Sequence, residues 1–324
     1  MDAREWNDVL LTSAPAPTAW TRVFARLCDL AVGSADPTAL HHATVAPDRL
    51  LAEGAWELWQ AYPQAAVRTS QELLSWCGQP SGPGGAAVLI LDAFALFHLP
   101  ALLAGARAHG IEPVAVRVTG AECPSDTSAF ACALGVPQRS ALAVGGPPPA
   151  GFALFGAKCV TDVLNCPFED CLGAVPPAAN LVLWHSWLDD LVHVHKKSPE
   201  AVHGTARAVL ASDGFWSFVD RLRQGRRLVI TADHGYAVSH WFSSALKDEG
   251  TIEALRNAFG ASRCIPATSP WSYRSMPPAV CTANGFHVVM GQCKWPVQGG
   301  FPAVCHGGLS LLEVAVPWVE LPPL

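Results

Sequence analysis

The sequence predicts an α/β fold in which a mostly parallel sheet is flanked by helices on both faces and preceded by a helical N-terminal region. The first observation behind this prediction is a short apolar run, AAVLIL (86–91), with the pattern of a buried strand. A helix pattern and a second strand pattern follow it directly, and a strand–helix–strand order favours parallel pairing. Half of the 324 residues are hydrophobic, which is sufficient for a large buried core.

Residues 1–83 are predicted to form the helical N-terminal region. Apolar residues recur there at three- and four-residue steps, as in AWTRVFARLCDLAV (19–32) and DRLLAEGAWELWQAY (48–62). The stretch GQPSGPGG (78–85) interrupts this pattern, because Gly and Pro end regular structure. We therefore place a boundary at this stretch, with a second domain over residues 84–324.

The second domain continues with further strand and helix patterns. Strands are predicted over IEPVAVRV, NLVLWH, RRLVIT and FHVVMG, and helices over LPALLAGARAHG and GTARAVLASDGFWSFVDRLRQG (204–225); SLLEVAVPWVEL closes the chain. Two stretches, 141–180 and 236–280, are irregular, and we expect them to be insertions near the functional site. The second contains one helix pattern, DEGTIEALRNAFG (248–260).

Charge and composition exclude several classes of protein. The net charge of -6 argues against a broad basic surface for duplex nucleic acid. The first residues, MDAREWNDVLL, have no basic stretch before an apolar core, so we expect no signal peptide. The apolar stretch 86–106 contains Asp92, His98 and Pro100, which disfavour a membrane span. With an odd number of cysteines, 11, we expect reduced thiols, a cytoplasmic location and no membrane partner.

Two of the strand patterns end in residues that bind metal ions in other proteins. Asp92 follows AAVLIL directly, and ligand-binding residues of open α/β sheets collect at the carboxyl ends of strands. The alternative role of Asp92 is to cap a following helix. Asp233 and His234 follow another apolar strand pattern, and burying both without a partner would be costly. A metal ion is the obvious partner, and a salt-bridged structural pair is the alternative.

Three further segments offer ligands or hydroxyl groups. Asp189 and His193 are four residues apart, so on a helix they lie on one face and could bind one ion together; the alternative is a solvated polar face. His306 precedes two glycines, which allow close approach of the backbone. Ser125 and Thr127 carry hydroxyls that a neighbouring metal ion would activate, and the alternative is a simple helix cap.

Taken in order, these segments resemble the PglZ domain of the alkaline phosphatase superfamily. LVITADHG (228–235) is similar to the Asp-His-Gly segment of the superfamily, and PSDT (124–127) is similar to the PglZ nucleophile segment. HGGLSLLEVAVPWV (306–319) is similar to the closing block of PglZ domains, and this long match separates them from sulfatases and phosphomutases. The resemblance covers about residues 84–324 and implies an alkaline-phosphatase-like fold.

The resemblance also implies a role for each candidate residue. It implies two divalent ions, one held by Asp189, His193 and His306 and the other by Asp92, Thr127, Asp233 and His234. Thr127 is then the nucleophile that attacks phosphorus. The mixture of nitrogen and oxygen ligands suits either Zn²⁺ or Mn²⁺; we expect Zn²⁺, with Mn²⁺ as the alternative. Family members often carry a basic residue soon after the first Asp, where this chain has Ala-Phe-Ala. This contact to the substrate phosphate is therefore either missing or supplied by Lys158, Lys196 or Arg274.

The expected function is that of a divalent-metal-dependent phosphoesterase, specifically a phosphodiesterase acting on nucleotides or oligonucleotides. The resemblance implies a role in bacterial phage defence or signalling, together with partner proteins. The main alternative is a non-catalytic protein-interaction domain with a structural metal site, because 12 Trp residues and apolar helices would suit an interface. The other alternative is a phosphatase or phosphomutase of the same superfamily.

Overall fold

The structure is a computed structural model that describes residue 6 and residues 15–34, 36–80, 84–195, 198–243 and 248–324. Its helices are α1 (Ala16–Val32), α2 (Pro37–Glu53), α3 (Trp56–Ala65), α4 (Thr69–Gly78), α5 (Leu99–Ala108), α6 (Thr127–Ala133), α7 (Trp187–Val194), α8 (Pro199–Leu210), α9 (Asp213–Arg223), α10 (Glu249–Phe259) and α11 (Leu311–Val314). Its strands are β1 (Ala86–Leu91), β2 (Ala115–Gly120), β3 (Val160–Leu164), β4 (Asn180–His185), β5 (Arg227–Thr231), β6 (Ala237–Val238), β7 (Cys264–Pro266), β8 (Val280–Ala283), β9 (Phe286–Val289), β10 (Val304–Cys305) and β11 (Ala315–Leu321). Two predictions fall outside the described residues. One concerns the N-terminal stretch MDAREWNDVLL, of which only Trp6 is described, and the other concerns Lys196.

The central sheet has six strands in the order β2-β11-β5-β1-β4-β3. β1 pairs in parallel with both β4 and β5, and β4 pairs in parallel with β3, whereas β11 runs antiparallel between β5 and β2. The register places Leu91, the last residue of β1, opposite His185, the last residue of β4. The carboxyl ends of the parallel strands therefore lie at the same end of the sheet, and below we call this end the carboxyl edge. The prediction of an α/β fold with a mostly parallel sheet is confirmed.

Helices cover both faces of this sheet, as predicted. Successive side chains of a strand point to opposite faces, and those of β1 enter two separate apolar cores. Leu89 and Leu91 pack in a core with α1, α5, α8 and α9, whereas Val88 and Ile90 pack in a core with α4 and α6. Every residue of β1 is buried, which explains why its sequence is a continuous apolar run instead of an alternating pattern.

The N-terminal helices pack beside β2 and share a core with the sheet. The rings of Trp20 and Trp59 lie 4.8 Å apart between centroids, and both residues belong to the apolar cluster that contains Leu89. The Tyr62 hydroxyl donates a hydrogen bond of 2.7 Å to the carbonyl oxygen of Ala121, just after β2. These contacts join α1 and α3 to the central sheet; the domain boundary near residue 83 stays a prediction.

Two elements differ from the sequence prediction. The pattern over 204–225, predicted as one helix, forms the two helices α8 and α9. Ser212 separates them, because its Oγ accepts the N–H of Phe215 over 3.2 Å and so starts a new helix. Within the irregular stretch 141–180, residues 160–164 form β3, an edge strand of the central sheet that the sequence analysis did not identify.

Other segments follow the prediction more closely. The apolar stretch 86–106 forms a buried strand, a short turn and the helix α5, not one long helix. None of the helices formed by the described residues has both the length and the apolar character that crossing a bilayer requires. The stretch 236–280 contains α10 where a helix is predicted, and β7 from the same stretch joins β9 and β8 in a separate antiparallel sheet.

Candidate metal centre

Polar side chains meet at the carboxyl edge of the central sheet. Asp92 directly follows β1, and Asp233 and His234 come just after β5, the strand beside it. β2 leads into the loop 121–126 and α6, while β4 leads into α7, which carries Asp189 and His193. Because these strands are parallel to one another, the segments that follow them meet at the same end of the sheet, and we call the space between them the cleft.

The turns after β1 and β5 place Asp92 and Asp233 beside each other, both fully buried. The Asp92 N–H donates to the carbonyl oxygen of His185 over 3.0 Å, which continues the pairing of β1 with β4. Ala93 has a left-handed backbone, with φ of 56°, and its N–H donates to Asp233 Oδ1 over 3.0 Å. The His234 N–H donates to the same oxygen over 3.0 Å. Oδ1 of Asp233 therefore accepts two backbone hydrogen bonds, and Oδ2 is the oxygen available to a ligand or metal ion.

The His234 imidazole is held in one tautomer. Its Nδ1 lies 2.9 Å from the carbonyl oxygen of Gly235, and a carbonyl can only accept, so Nδ1 carries the proton. In the neutral ring Nε2 carries the lone pair, and this atom lies 3.5 Å from Asp233 Oδ2 and 4.0 Å from Asp92 Oδ1. A ring oriented by a carbonyl through one nitrogen, with the other nitrogen free, is typical of a histidine that binds a metal ion.

Thr127 adds a hydroxyl to the same place. It is the first residue of α6, whose N-cap residue Asp126 accepts the N–H of Ala129 over 2.7 Å. The Thr127 Oγ1 donates to Asp233 Oδ2 over 2.7 Å. It also lies 3.3 Å from Asp92 Oδ1 and 3.3 Å from His234 Nε2. We call Asp92, Thr127, Asp233 and His234 the strand group.

Ser125 has a different position, although it lies only two residues before Thr127. It is fully buried, and its hydroxyl donates to the Gly308 carbonyl oxygen over 2.8 Å and accepts the Gly307 N–H over 3.0 Å. Both hydrogen-bonding functions of the hydroxyl are used by the backbone after His306. Ser125 therefore ties the loop before α6 to the His306 segment, and Thr127 is the hydroxyl that faces the carboxylates.

The strand group fits a divalent cation. The ligand atoms of Asp92, Asp233 and His234 all lie within 4.8 Å of one another. Two carboxylates buried side by side repel each other unless a cation or a proton compensates them. Carboxylate oxygen, imidazole nitrogen and a hydroxyl are suitable ligands for Zn²⁺ and for Mn²⁺. The donor set therefore agrees with the type of ion that the resemblance implies.

The other predicted ligands lie in the same cleft but are gathered less tightly; we call Asp189, His193 and His306 the helix–loop group. His193 Nε2 is 3.4 Å from Asp189 Oδ1, one helical turn away on α7, and the His193 side chain is 56% exposed. The His306 ring stacks on His234 with 4.4 Å between centroids. Its Nδ1 is enclosed and has no hydrogen-bond partner in the described part of the chain. In the part of the chain that the structure describes, the ligand atoms of the strand group form a compact cluster, whereas those of the helix–loop group do not.

Electrostatic effects connect the two groups. Burial raises the pKa of Asp189, while His193 and then His234 act to lower it. Burial lowers the pKa of His306 to about 3, with further lowering by His234 and an opposing effect of Asp233. His306 is therefore neutral at pH 7, which is the form in which an imidazole binds a metal ion. Residues of the strand group thus influence both Asp189 and His306, as expected for one shared cleft.

Arg139 is a residue of this cleft that the sequence analysis missed. Its Nη1 contacts Asp92 Oδ2, and its charge also lowers the pKa of Asp189. It begins a short turn at 139–142, soon after α6 ends, so the return of the chain from α6 brings it back over the sheet edge. The sequence signal was the close spacing of this arginine to the Thr127 segment, but a loop of this kind has no pattern that fixes its direction.

Two of the cations proposed from the sequence lie elsewhere. The backbone of Lys158 accepts a hydrogen bond of 3.1 Å from Asn180 Nδ2 at the start of β4. This is the edge of the sheet opposite the cleft. Arg274 is exposed beside Trp56 and Trp271. Arg139 is therefore the cation that the described structure brings to the carboxylates in place of these two.

Comparison with known proteins gives likenesses to solved structures. No family model matches the chain, and no curated protein does. Murine ectonucleotide pyrophosphatase/phosphodiesterase 5 is similar at 12% sequence identity with a TM-score of 0.41, over 74% of this chain and 88% of that one. Phosphonoacetate hydrolase from Sinorhizobium meliloti 1021, in complex with phosphonoformate, is similar at 15% identity with a TM-score of 0.38, over 74% of this chain and 90% of that one. At these values the likeness carries no inference about activity, and function is inferred below from the side chains.

Proposed function

We propose that this chain is a divalent-metal-dependent phosphoester hydrolase with Thr127 as its nucleophile. The observation that carries the proposal is the convergence of the Thr127 hydroxyl with the ligand atoms of Asp92, Asp233 and His234. A purely structural metal site is usually closed by carboxylates, imidazoles or thiolates. A partly exposed hydroxyl that contacts all three of these residues is instead the arrangement of an activated nucleophile.

Two groups of residues would hold the ions. The strand group would hold one ion, and the helix–loop group would hold the other. When bound, the ions would lower the pKa of a hydroxyl or water and neutralise negative charge on the phosphoester. We propose Zn²⁺ for both, with Mn²⁺ as the alternative, because imidazole and carboxylate ligands suit either ion.

The residues around Thr127 prepare its hydroxyl for attack. Asp233 Oδ2 accepts the hydroxyl hydrogen, which fixes the side-chain rotamer and directs the remaining lone pairs of Oγ1 away from Asp233. The Thr127 hydroxyl would release its proton to solvent, a bond would form between Oγ1 and phosphorus, and the bond from phosphorus to the leaving oxygen would break. The leaving oxygen takes a proton from solvent. Water would then cleave the bond between Oγ1 and phosphorus and return the hydroxyl to Thr127.

Arg139 would bind the substrate phosphate. Its side chain is 28% exposed and lies against Asp92, so it reaches both the buried carboxylates and the open cleft. A guanidinium group binds two phosphate oxygens at once in a planar fork. We propose that Arg139 turns from Asp92 to the phosphate when a cation neutralises Asp92.

The finer parts of the proposal come from the resemblance to PglZ domains. They are a phosphodiester of a nucleotide or oligonucleotide as substrate and a role in bacterial phage defence or signalling with partner proteins. The cytoplasmic location that we also propose rests instead on the cysteine content. The net charge of -6 fits a substrate held locally, not a duplex bound over a broad surface. In this proposal residues 1–83 are a helical region, and the stretches 141–180 and 236–280 shape the pocket.

Hydrolysis of two chromogenic esters tests the proposal. Bis-p-nitrophenyl phosphate and p-nitrophenyl phosphate would be offered to wild type, Thr127→Ala and Ser128→Ala, each with EDTA, Zn²⁺ or Mn²⁺. Ser128 is the matched control, because it is an exposed hydroxyl one residue further along α6. We expect metal-dependent cleavage that prefers the diester, is lost in Thr127→Ala and persists in Ser128→Ala.

Other outcomes would point to the alternatives. Preference for the monoester would favour a phosphatase over a phosphodiesterase. If folded protein loaded with metal cleaves neither ester, the proposal of a hydrolase fails, and a protein-interaction domain with a structural metal site becomes the better interpretation.

A further inference from the structure

A fully buried ion pair lies behind the candidate site. Arg263 and Glu313 are both completely enclosed, and their side chains meet in two parallel contacts, Nε to Oε1 at 2.6 Å and Nη2 to Oε2 at 2.9 Å. Arg263 also donates to the carbonyl oxygens of Gly291 over 2.8 Å and Cys293 over 3.1 Å. Such a pair is costly to desolvate and is weak evidence for stability by itself, so its position invites a functional explanation.

Glu313 contacts the loops that carry both stacked imidazoles. Its Oε1 accepts the N–H of Gly308, two residues after His306, over 3.0 Å. Its backbone carbonyl oxygen accepts the N–H of Gly235, the residue after His234, over 3.0 Å. One residue therefore fixes the backbone next to His234 and next to His306. The side chain and the main chain of Glu313 share this task between them.

The remaining hydrogen bonds fix Glu313 itself. Its Oε2 accepts the hydroxyl of Ser310 over 2.6 Å, in addition to the Arg263 contact. Each carboxylate oxygen therefore has two donors, so the side chain has one defined orientation. The backbone ahead of it is held from the N-terminal helices, because Asp48 Oδ2 on α2 accepts the N–H of Leu311 over 3.0 Å.

The glycines of both loops are explained by the same contacts. A Cβ atom at Gly308 would lie 2.6 Å from Arg263 Nη2, closer than side-chain atoms approach one another. A Cβ atom at Gly235 would collide with the carbonyl oxygen of Leu312. Glycine at these two positions lets the His234 and His306 loops approach the 310–313 segment closely enough to be held by it.

We infer that Glu313, fixed by Arg263 and Ser310, is a positioning residue that sets the His234 and His306 imidazoles relative to each other for metal binding. The inference rests on the proposed function, because it assigns both imidazoles to metal ions. Glu313 would act through the backbone of the two loops, because its hydrogen bonds go to Arg263, Ser310 and the N–H groups of Gly235 and Gly308. Residues that orient metal ligands in this way typically change metal affinity about 10- to 100-fold when they are replaced.

Metal binding measured without substrate tests the inference. Co²⁺ would be titrated into metal-free wild type, Glu313→Gln and Glu320→Gln, with its visible absorption spectrum and dissociation constant as readouts. Glu320 is the matched control, since it also pairs with an arginine, Arg117 at 3.1 Å, but lies on β11 beside the amino end of β5, away from the site. We expect Glu313→Gln to weaken Co²⁺ binding about 10- to 100-fold and to alter the spectrum, and Glu320→Gln to leave both unchanged.

A double variant guards against a failure to fold. Removing one partner of a buried pair leaves an uncompensated charge, whereas replacing both with apolar residues of similar volume preserves folding in other proteins. Arg263→Met/Glu313→Leu is therefore expected to fold and still to lose Co²⁺ affinity, because the Gly308 N–H has lost its acceptor. If whichever of these variants folds binds Co²⁺ with wild-type affinity and spectrum, the inference is overturned.

The same titration separates this inference from the proposed function. If wild type binds no divalent ion, the proposed function fails, and the role assigned to Glu313 fails with it. If wild type binds Co²⁺ and the Glu313 variants bind it equally well, only the positioning role is wrong.

Discussion

The strand group and the helix–loop group lie in one cleft but are built differently. The carboxylates and His234 of the strand group follow directly from β1 and β5, adjacent strands whose pairing fixes their spacing, and they are fully buried. The helix–loop group comes from α7 and from the segment after β10, and its His193 is more than half exposed. From this difference we propose that the strand group is preorganised by the sheet, whereas the helix–loop group would be completed only by a bound ion.

The largest effect that this comparison leads us to expect is between two histidine variants. His234→Ala removes a ligand from the preorganised group, and we expect a loss of phosphoesterase activity of roughly 10³-fold, similar to the loss of a preorganised transition-state contact. His193→Ala removes an exposed ligand, and we expect a smaller loss of about 10- to 100-fold. Steady-state hydrolysis of the diester by both purified variants makes the measurement. Equal losses would show that the two groups are not organised differently.

Removal of metal in stages sharpens the same comparison. We expect the zinc-loaded protein to release its two ions to a chelator in two steps, with affinities that differ by at least about 10-fold, because one ligand group is enclosed and the other is partly open. Zinc content measured against chelator concentration follows the two steps. In Asp189→Asn the weaker step should disappear while the tighter one is kept. Release of both ions in a single step from wild type would contradict the expectation.

Arg139 interacts with both groups, because it contacts Asp92 of the strand group and lowers the pKa of Asp189 of the helix–loop group. We expect Arg139→Ala to raise KM by roughly 10- to 100-fold, which corresponds to the loss of a charge-assisted hydrogen bond of about 1.5–3 kcal/mol. Arg139→Lys should recover part of the loss, since it keeps the charge without the planar fork. Lys158→Ala is the control and should leave KM unchanged. A fall in kcat at constant KM would assign Arg139 a role other than substrate binding.

The smallest expected effect concerns Asp48, which supports the segment after His306 from α2. Burial raises the pKa of this carboxyl to about 8. The charge of Glu313 adds to this effect, whereas the Leu311 N–H, the Gln292 amide and the Arg263 charge oppose it. The native state therefore keeps a proton that the unfolded chain has released, so the contribution of Asp48 to stability is lost as pH rises towards about 8.

Asp48→Asn should remove that pH dependence. An amide can still accept the Leu311 N–H, and it stays neutral at every pH. We expect the difference in free energy of unfolding between wild type and Asp48→Asn to shift in favour of the variant between pH 5 and about pH 8, as measured by urea denaturation. A difference that does not change with pH would mean that Asp48 is ionised in the native state throughout.

The parts of the molecule that sequence predicts well are those in which local pattern and tertiary position coincide. β1 is a continuous apolar run and β5 has an apolar centre, and the polar residue after such a strand has to emerge at the end of the sheet, so Asp92 and Asp233 could be located in advance. The roles of these residues stay predictions. The sequence of its segment also identified Thr127 as a candidate. It could not distinguish Thr127 from Ser125, because that difference depends on the contacts of Ser125 with Gly307 and Gly308, which no local pattern encodes.

The parts that the sequence did not indicate depend on competing local signals or on loop direction. β3 contains Asp162 in a Pro- and Gly-rich setting, so its strand character emerges only from pairing with β4. The break between α8 and α9 was hidden because apolar spacing continues across Ser212, while its side-chain cap decides the structure. Arg139 lies in a loop without periodicity. Glu313 is a lone carboxylate among apolar residues, and the partner that compensates its burial, Arg263, is distant in the chain.

The most direct test of the central claim is anomalous X-ray diffraction from crystals of the zinc-loaded protein. We expect a zinc peak bounded by Asp92, Asp233, the Nε2 atom of His234 and the Thr127 hydroxyl, with a second peak against Asp189, His193 and His306. A fully loaded crystal with no peak at the first position, or with zinc bound only at other side chains, would contradict the account.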